Sequence, residues 1–443
     1  MSANRVGRQP VPPTARIAVI GAGAAGLTAA HTLRKLGYAH VTVYEKEDMP
    51  GGRVLTDHSL GVPVELGAVF ATDSHTATLQ LAKELGVETY LWDLQTAILD
   101  EDDTLLSPVE FALRKYGPGP SLAALDRFKK LSDGYRINDR RGFAGLPPEL
   151  NMPFAEYAAR YDILPVADMM RTSAVAFGYA YYEDVPAMYY FKLIDPLIHI
   201  GPEGPVRAPW LRFSAGFQDL WVRLAKTLDV VYAADVTGVR RSTIGNARTI
   251  EITANGETRV YDWIIIATPP NATQRYLDMT AEESELFARV VSRNYHVTVA
   301  RVAGVSSDRR HLSPYANTRP EAVGHVNTWY DPVPGEQVFA AYQSLSWSQS
   351  PDDAQRLLAQ DFATFGGGTL TGVLLHKAWD NFAHVGTAAL ADGFYDRFEA
   401  LQGTNGTLYL GGILSFDTVE HTARYARDLL NEFFSQARTG AVS

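Results

Sequence analysis

The chain has 443 residues, of which 46% are hydrophobic and 20% are charged, and its formal net charge is −10. This composition is typical of a globular protein, and the length favours two domains over a single core. The acidic balance, without a domain-scale basic footprint, argues against nucleic-acid binding. The chain contains no cysteine, which excludes disulfides, cysteine metal ligands and any group linked through cysteine.

Residues 1–15 are polar and contain three prolines. They lack the apolar core of a signal peptide, and no stretch of the chain approaches the roughly 20 apolar residues needed to span a bilayer. We therefore expect a cytoplasmic protein without a transmembrane segment.

A glycine-rich turn lies near the start of the chain, between an apolar strand and a helix. The strand, residues 16–20, leads into Gly21, Gly23 and Gly26, and the following strand ends at Glu45. Glycine at these positions permits a tight turn, lets a pyrophosphate approach the backbone and lets the helix pack closely on the strand. The helix N-terminus attracts phosphates, and the acid accepts hydrogen bonds from a ribose hydroxyl. The pattern predicts a dinucleotide site and leaves NAD and FAD open.

A second glycine pair follows soon after the acid. Gly51 and Gly52 precede Arg53, which comes eight residues after Glu45. Paired glycines let backbone approach a phosphate-bearing ligand, and the arginine adds a fixed positive charge. We interpret the pair as a second contact to the same ligand rather than as a surface turn.

Aromatic residues are concentrated in residues 174–195, which hold five tyrosines and two phenylalanines. Such a stretch can line a large apolar cavity or pack as a helical core, and composition alone does not separate the two. Later, residues 261–270 are predicted to form a buried strand. A strand before Gly411 and a helix from about Thr418 to about Phe434 close the chain.

The order of these elements predicts an α/β fold whose parallel sheet is assembled from three separated segments. We expect residues 14–75, 206–270 and 400–443 to form a Rossmann-like dinucleotide-binding domain. The two intervening excursions, residues 76–205 and 271–399, are expected to form an inserted α+β domain that binds the substrate.

This architecture resembles the flavin-dependent amine-oxidase superfamily over essentially the whole chain. The matching stretches are residues 21–26 with Glu45, and residues 51–53, 65–68, 214–216, 261–270 and 411–412. The resemblance implies a Rossmann-like FAD-binding domain of the amine-oxidase type and non-covalently bound FAD. The implied cofactor contacts are Gly21, Gly23, Ala25, Gly26, Glu45, Lys46, Gly52, Arg53, Gly67, Ala68, Val236, Gly411, Gly412 and Val419.

Longer segments resemble the bacterial polyunsaturated fatty acid double-bond isomerases within that superfamily. These segments are residues 176–179 with 184–187, 319–326, 364–366, and 408–416 with 425–429. The resemblance implies that a hydride is taken from an activated C–H bond and returned at another carbon, which is a redox-neutral isomerisation.

Two departures from the family pattern bear on the substrate. Many amine oxidases of this superfamily hold a water near flavin N5 with a lysine, but this chain has no lysine between Lys226 and Lys377. The isomerases bind the substrate carboxylate through a basic residue in the segment that matches residues 89–104, where this chain has no Lys, Arg or His. The first departure argues against a conventional oxidase, and the second argues against a free fatty acid.

Three polar residues are predicted to lie near the reacting atoms. Glu65 could hold a cationic substrate or act as a base if burial raises its pKa, or it could serve only as a structural acceptor. Tyr182 could orient a polar group or simply pack, and Arg319 could bind an anionic or carbonyl group or pair with a neighbouring acid. His325 and His421 are alternatives.

Two reaction classes remain open, together with a flavoprotein that has no catalytic role. One class is the isomerisation of an apolar unsaturated chain. The other is the oxidation of an amine or amide on a natural-product-like substrate, which yields an imine and hydrogen peroxide. In both classes the partner is a small molecule, expected to be apolar, and the sequence is compatible with a homodimer.

Overall fold

The computed structural model describes residues 10–94, 97–201, 204–244 and 247–435 of the chain. The α-helices are α1 (Ala24–Lys35), α2 (Thr76–Glu84), α3 (Pro108–Tyr116), α4 (Pro118–Tyr135), α5 (Phe154–Arg160), α6 (Leu164–Ala176), α7 (Ala187–Ile194), α8 (Gln218–Ala225), α9 (Pro270–Thr273), α10 (Ala281–Ala288), α11 (Pro351–Asp361), α12 (Thr387–Ala391), α13 (Phe394–Ala400), α14 (Gly412–Ser415) and α15 (Val419–Phe434).

The strands are short in the first half of the chain and longer in the second. They are β1 (Ile17–Ile20), β2 (Val41–Tyr44), β3 (Thr56–Asp57), β4 (Val64–Glu65), β5 (Ala71–Thr72), β6 (Thr89–Leu91), β7 (Ala97–Leu99), β8 (Leu105–Leu106), β9 (Ile198–Gly201), β10 (Gly204–Arg207), β11 (Trp210–Phe213), β12 (Asp229–Val231), β13 (Val236–Ile244), β14 (Ala247–Ala254), β15 (Glu257–Tyr261), β16 (Trp263–Ile266), β17 (Val291–Ala303), β18 (Leu312–Pro314), β19 (Val326–Val333), β20 (Val338–Leu345), β21 (Thr369–His384) and β22 (Thr407–Tyr409).

A five-stranded parallel sheet has the strand order β12-β2-β1-β16-β22. Its strands come from three stretches that are far apart in sequence. The central strands β1 and β16 are apolar and fully buried, as expected for a parallel sheet covered on both faces. The α/β fold with a Rossmann-like domain is therefore confirmed.

A seven-stranded sheet, order β21-β17-β20-β19-β18-β7-β8, forms the second architectural unit. Its long strands β17, β20 and β21 pair antiparallel, whereas β7 pairs parallel with β18. Because β7 and β8 come from residues 97–106 and the other strands from residues 291–384, the two excursions share one sheet.

Among the described residues, four smaller sheets accompany these two, including the two-stranded sheets β3-β4 and β9-β10. The antiparallel sheet β5-β11-β6 joins the first segment to residues 210–213, and β13-β14-β15 forms a separate antiparallel sheet. The predicted strand 261–270 is shorter in the structure, Trp263–Ile266, because Tyr261 ends β15 and Pro270 begins α9. Asp262 interrupts the predicted strand, because its carboxylate accepts a hydrogen bond from the backbone N–H of Arg16 at 2.8 Å.

Most of the aromatic stretch 174–195 packs as a core. Tyr189, Tyr190 and Phe191 lie on α7 and are fully buried. Phe154 stacks on Tyr190 at 4.7 Å between ring centroids, and Phe128 stacks on Phe191 at 4.9 Å. Among the described residues, no helix is long and apolar enough to cross a membrane.

Glu420 connects the last helix to the start of the first excursion. Its buried carboxylate accepts hydrogen bonds from the backbone N–H groups of Ala77 and Thr78, at 3.0 and 2.9 Å, and from the Thr78 hydroxyl at 2.9 Å. A carboxylate at a helix N-terminus satisfies free N–H groups and complements the helix dipole. Glu420 thus caps α2 from α15.

We expect Glu420→Ala to lower the free energy of unfolding by about 3 kcal/mol, because it removes charge-assisted bonds and leaves buried N–H groups unpaired. Chemical denaturation of the variant measures this loss. Asp428→Ala, on the same helix and half-exposed, should change stability by less than about 0.5 kcal/mol. Equal effects of the two substitutions would contradict the capping role.

Candidate functional site

The first glycine turn brings α1 close to the end of β1. Gly21 has φ +102°, and a Cβ on Gly26 would overlap the Gly21 carbonyl oxygen. Helix α1 starts at Ala24 without a side-chain cap and without an acidic residue in its first turn. The turn therefore leaves a helix N-terminus able to receive an anionic group.

The second glycine pair lies directly against this turn. Gly51 forms a parallel bridge with Gly23, and its N–H donates to the Ala22 carbonyl at 2.9 Å. A Cβ on Gly52 would lie 3.3 Å from the Gly23 Cα. The two glycine motifs, about 30 residues apart in sequence, thus form one side-chain-free surface, to which a ligand can come close.

Glu45 directly follows β2 at the same edge of the sheet. Its buried carboxylate accepts hydrogen bonds from the backbone N–H of Ala22 at 2.7 Å and of Glu47 at 3.0 Å. The Glu45 carbonyl also accepts from Ala234, two residues before Val236 opens β13. The acid and the start of β13 are therefore neighbours. Lys46, predicted as a contact, is exposed and pairs with Glu47 at 3.2 Å.

Arg53 is held by two residues from distant parts of the chain. Its Nη1 donates to the Asp417 carboxylate at 2.5 Å and to the Asn381 side-chain oxygen at 3.0 Å, and its Nη2 also donates to Asp417. Asp417 is buried and accepts a further hydrogen bond from the Phe382 N–H at 2.8 Å. Asp417 and Asn381 are not among the residues predicted from the sequence. Only the position of Asp417, just after Gly411 and Gly412, hinted at a role.

The remaining predicted cofactor contacts surround Arg53 and Asp417. A Cβ on Gly67 would overlap the Arg53 carbonyl, which accepts the Ala68 N–H at 3.1 Å. A Cβ on Gly412 would overlap the Asp417 carboxylate, whereas a Cβ on Gly411, at φ +111°, would meet no atom within 4 Å. Gly411 therefore borders open space. Two further predicted contacts, Ala25 and Val419, lie in the first turns of α1 and α15.

Two bulky residues beside Asp417 adopt left-handed backbone conformations. Phe382 has φ +52° and Phe416 has φ +90°, conformations that cost about 1–3 kcal/mol each for a residue with a Cβ. The Tyr179 ring contacts both rings, with centroids 5.3 and 4.9 Å away, and its hydroxyl donates to the Asp417 carbonyl. Such strain is typical of functional sites whose surroundings hold it in place.

Glu65 lies in the structure as a buried acceptor. Its oxygens accept the Thr56 hydroxyl at 2.7 Å and the backbone N–H of Phe217, the residue before α8, at 2.9 Å. Burial raises the pKa of Glu65 to about 7, although these hydrogen bonds and the nearby Arg212 oppose the shift. The structure thus gives Glu65 a role in joining β4 to α8. Its predicted catalytic role stays a prediction.

Tyr182 and Arg319 flank a different location. The Tyr182 hydroxyl donates to the buried Asp168 at 2.7 Å, and Lys115 donates to the same carboxylate at 2.6 Å. Arg319 is half-exposed, pairs with Glu101, and lines a cavity of about 280 Å³. Its lining residues are Asp100, Glu101, Phe111, Arg114, Lys115, Tyr315 and Arg319. Each cation at this cavity therefore already has an acidic partner.

The two alternative histidines have structural partners. His325 bonds through Nδ1 to the buried Asp361 at 2.8 Å, which raises the pKa of His325. His421 is buried between the Thr418 hydroxyl, at 2.6 Å, and the Asn138 side-chain oxygen, at 3.1 Å. These contacts account for both side chains without a substrate.

An aromatic cluster that sequence analysis missed lies between the sheets β5-β11-β6 and β17-β20-β19. Phe70 stacks on Trp210 at 4.2 Å between centroids, Trp92 meets Tyr330 edge-on at 5.3 Å, and Tyr330 stacks with Tyr342 at 6.2 Å. We define the aromatic cluster as Phe70, Trp92, Phe177, Trp210, Tyr295, Tyr330 and Tyr342. Its members are scattered over more than 250 residues, so no local sequence pattern reveals them.

Glu65 should make stability fall as pH rises. Because its pKa is about 7 in the folded state and near 4.5 when unfolded, the folded chain holds this proton more tightly, so stability is lost between about pH 4.5 and 7. Between pH 5 and pH 8 the wild type should lose about 2 to 3 kcal/mol more unfolding free energy than Glu65→Gln.

Denaturant titrations at both pH values, with equal FAD in all samples, measure this difference. Glu88→Gln replaces an exposed glutamate and should follow the wild type. Parallel pH dependence of the wild type and Glu65→Gln would show that burial does not shift the Glu65 pKa.

The chain is similar to known proteins in both sequence and fold. The FAD-dependent oxidoreductase dpasF of Apiospora sacchari is 25% identical over 89% of this chain and 87% of its own length. The polyenoic fatty acid isomerase of Ptilota filicina is 24% identical over 63% of each chain. The structure of a CLA-producing fatty acid isomerase from P. acnes has a TM-score of 0.84 at 24% identity, over 96% of this chain and 100% of that one.

The family model for flavin containing amine oxidoreductases matches residues 24–413, which is most of the chain and includes α1, the aromatic cluster and the Gly411–Gly412 turn. This match agrees with the resemblance noted from the motifs, and it implies an enzyme with a flavin cofactor. The chain therefore belongs to the flavin containing amine oxidoreductase family.

Proposed function

We propose that this enzyme binds FAD non-covalently and abstracts a hydride from an activated C–H bond of a lipophilic substrate, returning it at another carbon. The cofactor part of the proposal rests on the joined glycine motifs. The turn Gly21–Gly26 would hold the pyrophosphate at the start of α1, and Glu45 would hold the ribose. Arg53, Gly67 and Gly411 would border the flavin end.

The observation that carries the reaction class is the aromatic cluster. When bound, the flavin supplies hydride acceptance and return. The rings of the cluster exclude water and orient the hydrocarbon chain of an apolar substrate. The protein also has no lysine between Lys226 and Lys377 that could hold a water, as a lysine does in many amine oxidases. The relative named a polyenoic fatty acid isomerase supports the same reaction class.

Two hydrogen-bonded side chains join the aromatic cluster's sheet to the glycine motifs. Trp379 on β21 donates its indole N–H to the Leu66 carbonyl at 2.5 Å, which fastens the seven-stranded sheet to the Gly67 turn. Asn381, two residues later, binds Arg53 and also donates to the Gly178 carbonyl at 3.2 Å. These hydrogen bonds fix the position of the proposed substrate-binding side relative to the proposed cofactor-binding side.

A second candidate, an amine or amide oxidase, is favoured by one observation. Glu65 has a pKa of about 7, and a group with such a pKa can act as a base at neutral pH. However, Arg212 lies close enough to interact electrostatically with Glu65. That positive charge disfavours a cationic amine beside it, so we place isomerisation first.

Anaerobic turnover tests the proposal. With a C18 polyunsaturated fatty acid or its methyl ester, we expect many turnovers per flavin without oxygen, conjugated-diene absorbance, and a flavin spectrum that remains oxidised at the end. An oxidase would instead bleach its flavin once and stop until oxygen is admitted. Bleaching by an amine, with no diene formed from either lipid, would contradict isomerisation.

A further inference from the structure

Arg212 on β11 has a buried guanidinium group that forms few hydrogen bonds with the rest of the protein. Its side chain is 6% exposed, and it makes one long hydrogen bond, from Nη2 to the Pro63 carbonyl at 3.4 Å. Among the described residues no carboxylate lies within ion-pair distance of it, although Glu65 interacts with it electrostatically, and its guanidinium lies over the Trp92 ring, 4.9 Å from the ring centroid. A buried cation without a counter-ion in direct contact is costly, so a further partner is expected.

Two more buried donors point to the same place. The hydroxyls of Tyr330 and Tyr342 lie within the aromatic cluster and, among the described residues, neither makes a hydrogen bond of ordinary geometry. Both interact electrostatically with Arg212, and burial raises the pKa of each phenol, which keeps them protonated donors. All three groups therefore keep donor capacity that the described residues do not fill.

Strand pairing explains why the sequence did not show this cation. Residues 89–104 contain no basic residue, but β6 in that segment pairs antiparallel with β11. The partner of Tyr90 is Arg212, and residues paired in this way project from the same face of a sheet. The guanidinium is thus supplied by a neighbouring strand, which removes the objection to an acidic substrate.

We propose that Arg212, with the hydroxyls of Tyr330 and Tyr342, binds the carboxylate of a lipophilic acid whose apolar chain lies along the aromatic cluster. This inference rests on the proposed function and names its substrate class. Arg212 is then a specificity residue, which selects acids over alcohols and rejects amines by charge.

Binding of saturated eight-carbon probes tests this assignment, since such probes lack an activated C–H bond and need no turnover. Octanoate, octan-1-ol and octylamine are titrated into the flavin-loaded enzyme, with calorimetry and tryptophan fluorescence as readouts. We expect octanoate to bind at least about 10-fold more tightly than the other two.

Variants distinguish recognition of the octanoate carboxylate from apolar packing of its hydrocarbon chain. Arg212→Met should weaken octanoate about 30-fold and leave octan-1-ol within about twofold, and Tyr342→Phe should weaken octanoate about threefold. Arg356→Met removes an arginine that is 63% exposed on α11 and should leave all three affinities unchanged. Flavin content and circular dichroism confirm that each variant is folded.

Equal affinity of the wild type for octanoate and octan-1-ol, or undiminished octanoate binding by both folded site variants, would overturn the assignment. That result would leave isomerisation standing if an ester substrate still turns over anaerobically. Conversely, selective octanoate binding without any diene formation would uphold the acid site while the proposed reaction fails.

Discussion

The ion pair between Arg53 and Asp417 is the contact on which the site depends. It joins the segment after the first glycine motifs to the segment that closes the chain, and Asn381 adds the second excursion to the same guanidinium. With Asp417 buried, removing the arginine would leave an uncompensated charge, which is strongly destabilising. The strained backbones of Phe382 and Phe416 and the tight turn at Gly412 are held against this pair.

The two main sheets contribute different kinds of groups. The parallel sheet contributes backbone groups, glycines and one acid, which suit a phosphate- and ribose-bearing ligand. The seven-stranded sheet contributes Tyr330 and Tyr342, and the sheet β5-β11-β6 contributes Arg212 and further rings, which together suit an apolar molecule with one charged end. The indole N–H of Trp379 on β21 donates a hydrogen bond to the Leu66 carbonyl. This contact connects the seven-stranded sheet to the turn that carries Gly67.

Features that depend on local chain geometry could be predicted from the sequence. The Gly21–Gly26 turn, Glu45 and the last helix each need particular residue types at short spacing. Arg212, Asp417 and the aromatic cluster depend on which distant strands pair. Periodicity predicts that a strand exists but does not identify its partner. For Arg319 the sequence left two roles open, and the structure shows an ion pair with Glu101 at the surface, while its role as an anion site stays a prediction.

The flavin content of the purified enzyme tests the central claim most directly. Three separated segments of this chain should build one non-covalent FAD site. Absorbance before and after denaturation, followed by chromatography of the supernatant, should show an oxidised-flavin spectrum and about one FAD released per chain. A protein that stays colourless when reconstituted with FAD, or a flavin that remains attached to the denatured polypeptide, would contradict the claim.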